Sequence, residues 1–216
     1  MLSDREIVVA RPFEEAWKTS GKSPQLPARD AWEKASPVAF SQDWKGNHED
    51  RGRETEVRLL WSEKRLFIRF RCRFRDTYVY QDKIGRRDEL WMRDVAEIFI
   101  QTDLKAPRRY REFEIAPNGD WLDLEIADGR KSCLFCDMET RVVRDPEIGV
   151  WTAEMAIPMH CLTPDFHPGR VWRMNFFRIE GREPDRFYSA WRPTHTPKPN
   201  FHVPECFGEL RFAASA

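Results

Sequence analysis

An excess of charge of either sign is missing from this sequence: 36 Lys and Arg stand against 36 Asp and Glu in 216 residues. Without it there is no sequence-wide field to draw in a phosphate backbone or an anionic lipid surface, so neither a nucleic-acid nor a membrane partner is expected. Long apolar runs are missing too. No stretch approaches the roughly 20 apolar residues of a spanning helix, and the opening MLSDREIVVARPFEEAW lacks the basic, apolar and small-residue sections of a secretory leader. The sequence as it stands predicts a cytoplasmic protein, with secretion left open. Cysteines number 5, an odd count in too long a chain for a disulfide framework, which predicts reduced thiols. Cys133 and Cys136 form a C-x-x-C, but zinc would need a second Cys or His pair and a redox motif a βαβ context. Internal repeats and low-complexity segments are also absent.

What is present is the material of one folded domain. Apolar residues at 41% and aromatics at 13% can fill a core, and the 33% charged fraction predicts a heavily solvated surface. A single domain over residues 1–216 is expected, because β domains commonly run to this length. Residues 1–53 read as a loop-rich part with scattered tryptophans, Phe13 with Trp17 and Ala31 with Trp32 marking two helical turns. From Glu56 the alternation sharpens. Two runs around residues 62–65 predict a hairpin with one buried face. Residues 95–100 are apolar on both faces except for Glu97, the pattern of a central strand covered on both sides. Further strands are expected at residues 141–143, 150–157, 171–179, 187–191 and 209–212. Many short strands and no long amphipathic helix predict an all-β fold, an antiparallel β-sandwich of jelly-roll type with long loops and one or two short helices. The proline-rich arm at residues 193–208 must run as an ordered loop or an extended cover.

Two constellations carry chemistry. Asn118-Gly119 between alternating runs predicts a two-residue hairpin loop, a register that sets Glu114 opposite Asp123 and Glu112 opposite Glu125. Four carboxylates on one sheet face require neighbouring arginines, a bound cation or a ligand rich in hydroxyl donors. A structural calcium ion would suit such a cluster, although no dedicated loop motif is present and any metal site stays unknown. The second constellation is aromatic. Trp91 precedes the 95–100 strand and Trp191 ends a late one, so two indoles could stand at the sandwich rim and hold a sugar ring between them.

Leu90-Trp91 through Asp94 and Glu97-Ile-Phe-Ile, Tyr110-Arg-Glu-Phe-Glu-Ile-Ala-Pro-Asn-Gly, Trp151-Thr-Ala-Glu-Met-Ala-Ile-Pro, Trp172-Arg-Met-Asn-Phe-Phe-Arg-Ile-Glu, Ala190-Trp191 and Phe201-His-Val-Pro-Glu-Cys-Phe-Gly follow one another in an order and spacing that resembles the family 9 carbohydrate-binding modules and their stand-alone bacterial relatives. The resemblance implies a jelly-roll sandwich. It also implies a ligand site of the kind found in modules attached to xylanases, which hold glycan reducing ends between two tryptophans. Carried over, Trp91 and Trp191 match the two clamp tryptophans and Glu97 a carboxylate that accepts sugar hydroxyls. The family's binding modules also use an arginine on the following strand and an asparagine shortly before the second tryptophan. This chain has Glu112 and Glu114 on that strand, and Tyr188, Ser189 and Ala190 before Trp191. Arg178, on the alternate face from Asn175 and Phe177, is the nearest replacement guanidinium.

The expected function is therefore that of a non-catalytic module recognising a mono- or oligosaccharide with Trp91, Glu97, Trp191, Arg178, Glu112 and Asn175, without a cofactor. A role in xylan or other carbohydrate catabolism, beside a partner glycoside hydrolase, goes with the resemblance. Two alternatives stay open. One is a glycoside hydrolase using paired carboxylates of the acidic face. The other is a haem-binding sandwich with Met92, Met159, His160 or Met174 as axial ligands.

Overall fold

In the computed structural model, which describes residues 7–15 and 26–214, the alternating segments form 13 strands in one continuous ladder that folds into two facing sheets. They are β1 (Ile7–Pro12), β2 (Val38–Phe40), β3 (Thr55–Trp61), β4 (Arg65–Arg73), β5 (Val95–Gln101), β6 (Arg109–Ile115), β7 (Trp121–Ala127), β8 (Arg130–Cys133), β9 (Glu139–Asp145), β10 (Val150–Pro158), β11 (Trp172–Glu180), β12 (Phe187–Ala190) and β13 (Gly208–Phe212). One four-residue helix, α1 (Met159–Leu162), and short 3-10 turns complete the described elements. The all-β reading holds, and the 3-10 turn Arg29–Lys34 carries the buried Trp32. The helical turn expected at Trp17 lies outside the described residues.

The first sheet runs β8-β7-β6-β5-β11, with β13 and β12 sharing the far edge of β11. The second runs β3-β4-β10-β9, with β2 on the free edge of β3. β1 joins them. Its first part pairs in parallel with β13, from Ile7 opposite Glu209 to Ala10 opposite Phe212, and its last two residues pair in parallel with Leu60 and Trp61 of β3. This strand lies in the segment read from sequence as loop-rich, where its six residues alternate too briefly to be placed individually.

Between the sheets pack Phe70, Phe113, Trp151, Trp172, Phe176 and their neighbours. A second apolar layer covers the outer face of the first sheet, where Phe99, Tyr110, Leu122, Phe177 and Ile179 lie under Phe201 and Phe207 of the proline-rich arm. Strand β5 is therefore buried on both faces, as its pattern predicts, and Glu97 lies on the face that the arm covers.

The hairpin β6–β7 departs from the sequence reading by one residue. Ala116 N–H donates to Asp120 O at 2.8 Å and Gly119 N–H to Ala116 O at 3.0 Å, so the loop is Pro117-Asn118-Gly119. Proline favours the second position of a type I turn, and Gly119 at φ +96 supplies the left-handed residue that closes a three-residue loop. Glu112 faces Leu124 and Glu114 faces Leu122, while Asp123 faces Phe113. A one-residue slip moves a side chain to the opposite face, and the predicted four-carboxylate ladder is divided between the two faces. The two-residue loop is instead Asp128-Gly129, both at positive φ, joining β7 to β8.

The cysteines also differ from expectation. Cys136, after β8, is disulfide-bonded to Cys161 of α1 across 25 residues, and Cys72, Cys133 and Cys206 are free. An odd count leaves room for a pair, and only the fold brings these two together.

Candidate functional site

A cleft of about 260 Å³ opens on the outer face of the first sheet. Its floor is Glu97 and Phe99 of β5 with Glu112 of β6, and Pro199 to His202 of the arm form one side. Trp91, Met92, Lys131, Ile179, Arg186 and Tyr188 complete it.

Trp91 sits in the 3-10 turn Leu90–Met92, which starts from Glu89 at φ 56. Two side chains hold that turn. Arg186 donates through Nη2 to the carbonyls of Trp91 at 2.5 Å and Arg93 at 3.3 Å, and through Nη1 to that of Met92 at 3.3 Å. Asp94, fully buried, accepts from the N–H groups of Tyr78 at 2.8 Å and Gly181 at 2.7 Å. Burial lifts its carboxyl above the ordinary range against those donors. The face of Trp91 is not bare: the Lys131 ammonium lies 3.9 Å from its ring centroid.

On the floor, Glu97 faces Glu114 across β5–β6 and Phe99 faces Glu112, so the three glutamates crowd one patch. They are 2%, 0% and 2% exposed for Glu97, Glu114 and Glu112 respectively. Glu97 Oε1 and Glu112 Oε2 have no hydrogen-bond partner. Burial first, then the neighbouring carboxylates, push Glu97 and Glu114 well above the usual carboxylate range, against the pull of Lys131. Arginines that could neutralise this patch are spent elsewhere. Arg86 binds Asp123 at 2.8 Å, Arg87 binds Asp120 at 3.1 Å, and Arg109 and Arg111 bind Glu125 at 3.0 and 3.5 Å.

The arm closes the cleft by aromatic contact. Phe201 stacks on Phe177 at 4.2 Å between centroids and His202 on Phe99 at 5.2 Å. His202 Nδ1 is hydrogen-bonded to Tyr110 Oη at 2.9 Å, and burial lowers the imidazole while raising the phenol. His195 is held away from the cleft, its Nδ1 2.8 Å from Lys45 O.

Of the six residues expected from sequence, the cleft gathers Trp91, Glu97 and Glu112. The other three are elsewhere. Trp191 is 6% exposed, packs in the inter-sheet core 5.8 Å from Phe176, and touches a separate cavity beside residues 39–49. It cannot oppose Trp91 because its ring is on the other side of the sheet. Arg178 is on that inner side as well, bound to Glu180 at 3.1 Å and 5.0 Å from the Trp151 ring, so it reaches no glutamate of the floor. Asn175 is buried and ties the arm's base, donating to Arg192 O at 2.8 Å and accepting from Arg192 N–H at 3.0 Å. Lys131 and Arg186 are lining residues that local pattern did not reveal. The turn signal Asp128-Gly129 marks the hairpin that delivers Lys131.

Among the described residues no group of three or more His, Cys, Asp or Glu is arranged to hold a metal ion. Of the residues considered as haem ligands, Met159 and Met174 are buried in the inter-sheet core, whereas Met92 and His160 are exposed.

Residues 28–214 match the family described as carbohydrate family 9 binding domain-like. An extracellular protein of the fungus Arthroderma benhamiae is 27% identical over 184 residues, covering 74% of this chain and 78% of its own. Among solved structures, a candidate carbohydrate-binding protein of Bacteroides uniformis superposes with a TM-score of 0.75 at 17% identity, over 97% of this chain and all (100%) of its own. A family 9 carbohydrate-binding module of Caldicellulosiruptor kristjanssonii, solved with cellotriose, superposes with a TM-score of 0.70 at 13% identity, over 98% and 95%.

Proposed function

The chain belongs to the carbohydrate family 9 binding domain-like family, and we propose that it is a non-catalytic sugar-binding domain whose ligand occupies the cleft beside Trp91. The observation that carries this reading is the pair of unpartnered acceptors, Glu97 Oε1 and Glu112 Oε2, buried on the floor of an aromatic-lined cleft. A buried acceptor without a donor costs about 1–3 kcal/mol, and a sugar ring supplies what is missing. Its hydroxyls donate to the carboxylates while its C–H faces pack on aromatic faces. A cleft of about 260 Å³ lies just below the ~300 to 1,000 Å³ of drug-sized sites, which suits one sugar ring, such as a reducing end. A second cavity of about 390 Å³ shares Lys131 and His202 with it, leaving room for further residues of an oligosaccharide.

A single tryptophan serves here, with Phe99, Tyr188 and Phe201 adding to the aromatic lining. Hydrolysis is the weaker reading. It needs two carboxylates on either side of the scissile bond, whereas Glu97 and Glu112 stand on neighbouring strands of the same floor and are the only acids lining the cleft among the described residues.

Intrinsic tryptophan fluorescence during titration with mono- and oligosaccharides tests the proposal, on the wild type and on Trp91→Ala. A saturable change that the substitution abolishes is expected. No change with any sugar in a folded wild-type protein would sink it.

A further inference from the structure

The cleft's charge pattern is unusual for a neutral sugar. Two glutamates, Glu97 and Glu112, line the floor with Glu114 buried opposite Glu97, and the only cations lining the cleft among the described residues are Lys131 and Arg186. Arg186 is committed through both Nη atoms to the carbonyls of residues 91–93. Lys131 comes from the edge strand β8, is itself exposed, and sets its ammonium 3.9 Å from the centroid of Trp91. Its charge is felt by both Glu97 and Glu114. The chain thus places a primary ammonium of its own against an indole face, on an exposed side chain that lines the same cleft as the buried Glu97 and Glu112.

An aromatic face with adjacent carboxylates is the chemistry that recognises a cationic amine. A neutral hydroxyl can donate to Glu97 Oε1 or Glu112 Oε2, but an ammonium donates more strongly and supplies the counter-charge against which these buried carboxyl groups can ionise. We infer that the cleft is built for an amino sugar of the glucosamine type, whose ammonium takes the place of the Lys131 head group between Trp91 and the carboxyls of Glu97 and Glu112. The inference rests on the sugar-binding reading above and names its ligand class. Lys131 then acts as a resident stand-in, displaced when ligand arrives. An N-acetylated amino sugar has lost the charge and with it the exchange with Lys131.

Isothermal titration of the full chain with glucosamine, glucose and N-acetylglucosamine in buffer near neutral pH tests this. Glucosamine is expected to bind about 10-fold or more tightly than glucose, the gain from replacing neutral by charge-assisted hydrogen bonds, and N-acetylglucosamine no more tightly than glucose. Glu97→Gln and Glu112→Gln keep the shape and remove the charge, so each should shrink the glucosamine preference, with circular dichroism confirming the fold. Glucose binding as tightly as glucosamine, or a preference untouched by both substitutions, overturns the inference and leaves the sugar-binding proposal standing. Binding of none of the three, nor of longer sugars, overturns both.

Discussion

Glu97 of β5 stands opposite Glu114 of β6, two buried carboxyl groups facing one another across a strand pair. Like charges in that position are destabilising, and the protein meets the cost by keeping protons on them. Both are pushed well above the ordinary glutamate value of 4.5, first by burial and then by neighbouring carboxylates. The folded state therefore retains protons that the unfolded chain has released. The stability this gives is complete below about pH 4.5 and is lost as pH rises through the raised folded values. Glu114→Gln removes one of the two groups. Its unfolding midpoint in urea, measured relative to wild type, is expected to improve steadily from pH 5 to pH 8; a pH-independent gap would contradict the assignment.

The two tryptophans that the sequence pairs are expected to separate experimentally. Trp191→Ala opens a hole in the inter-sheet core, and large-to-small changes of this kind cost about 3–5 kcal/mol. Trp91→Ala, at a half-buried rim, should cost about 1–2 kcal/mol yet weaken sugar binding about 10-fold or more, the worth of one good aromatic contact. Urea denaturation with fluorescence titration measures both, and equal stability losses would be incompatible with the structure.

Arg178 offers the converse case. Removing it as Arg178→Met leaves Glu180, 1% exposed, with only the 3.4 Å contact to Arg53 as an ion pair. Breaking a buried pair from one side costs about 3 kcal/mol or more. Sugar affinity, measured well below the melting temperature, should stay within about twofold of wild type, because the guanidinium lies on the far side of the sheet. A large affinity loss without a stability loss would return Arg178 to the site.

The thiols can be counted directly. Unfolded without reductant, the chain is expected to show 3 reactive thiols, those of Cys72, Cys133 and Cys206, and after reduction all 5. In the native protein Cys133, exposed, should react first and Cys72 last, since burial pushes its thiol up to about 11. Five reactive thiols before reduction would exclude the Cys136–Cys161 bond.

Much of this architecture is legible because periodicity reports burial. Strand β5 can be read from residues 95–100 because an apolar run interrupted by one glutamate fits little besides a central strand, and that glutamate is at the cleft floor. Long alternating runs such as β4 and β10 are equally plain. The losses have physical reasons. Register across β6–β7 depends on whether Pro117 joins the turn, and a single residue there exchanges the faces. Trp191 and Arg178 read outward from sequence because alternation tells which residues share a face, but not which face meets solvent. Lys131 and Arg186 reach the cleft from distant parts of the chain, and no local pattern encodes such a meeting.

The proline-rich arm joins two properties usually kept apart. Phe201 and His202 lie on Phe177 and Phe99 and so shield the outer apolar layer, and the same two residues line the cleft. The segment is a clasp whose fastening is shared with whatever occupies the site. A ligand seated against Phe201 and His202 would hold the arm down over Phe177 and its neighbours as well; an arm that lifted would open the cleft and wet the sheet in one motion. Occupancy and resistance to local opening must then rise together in this molecule, each a gauge of the other.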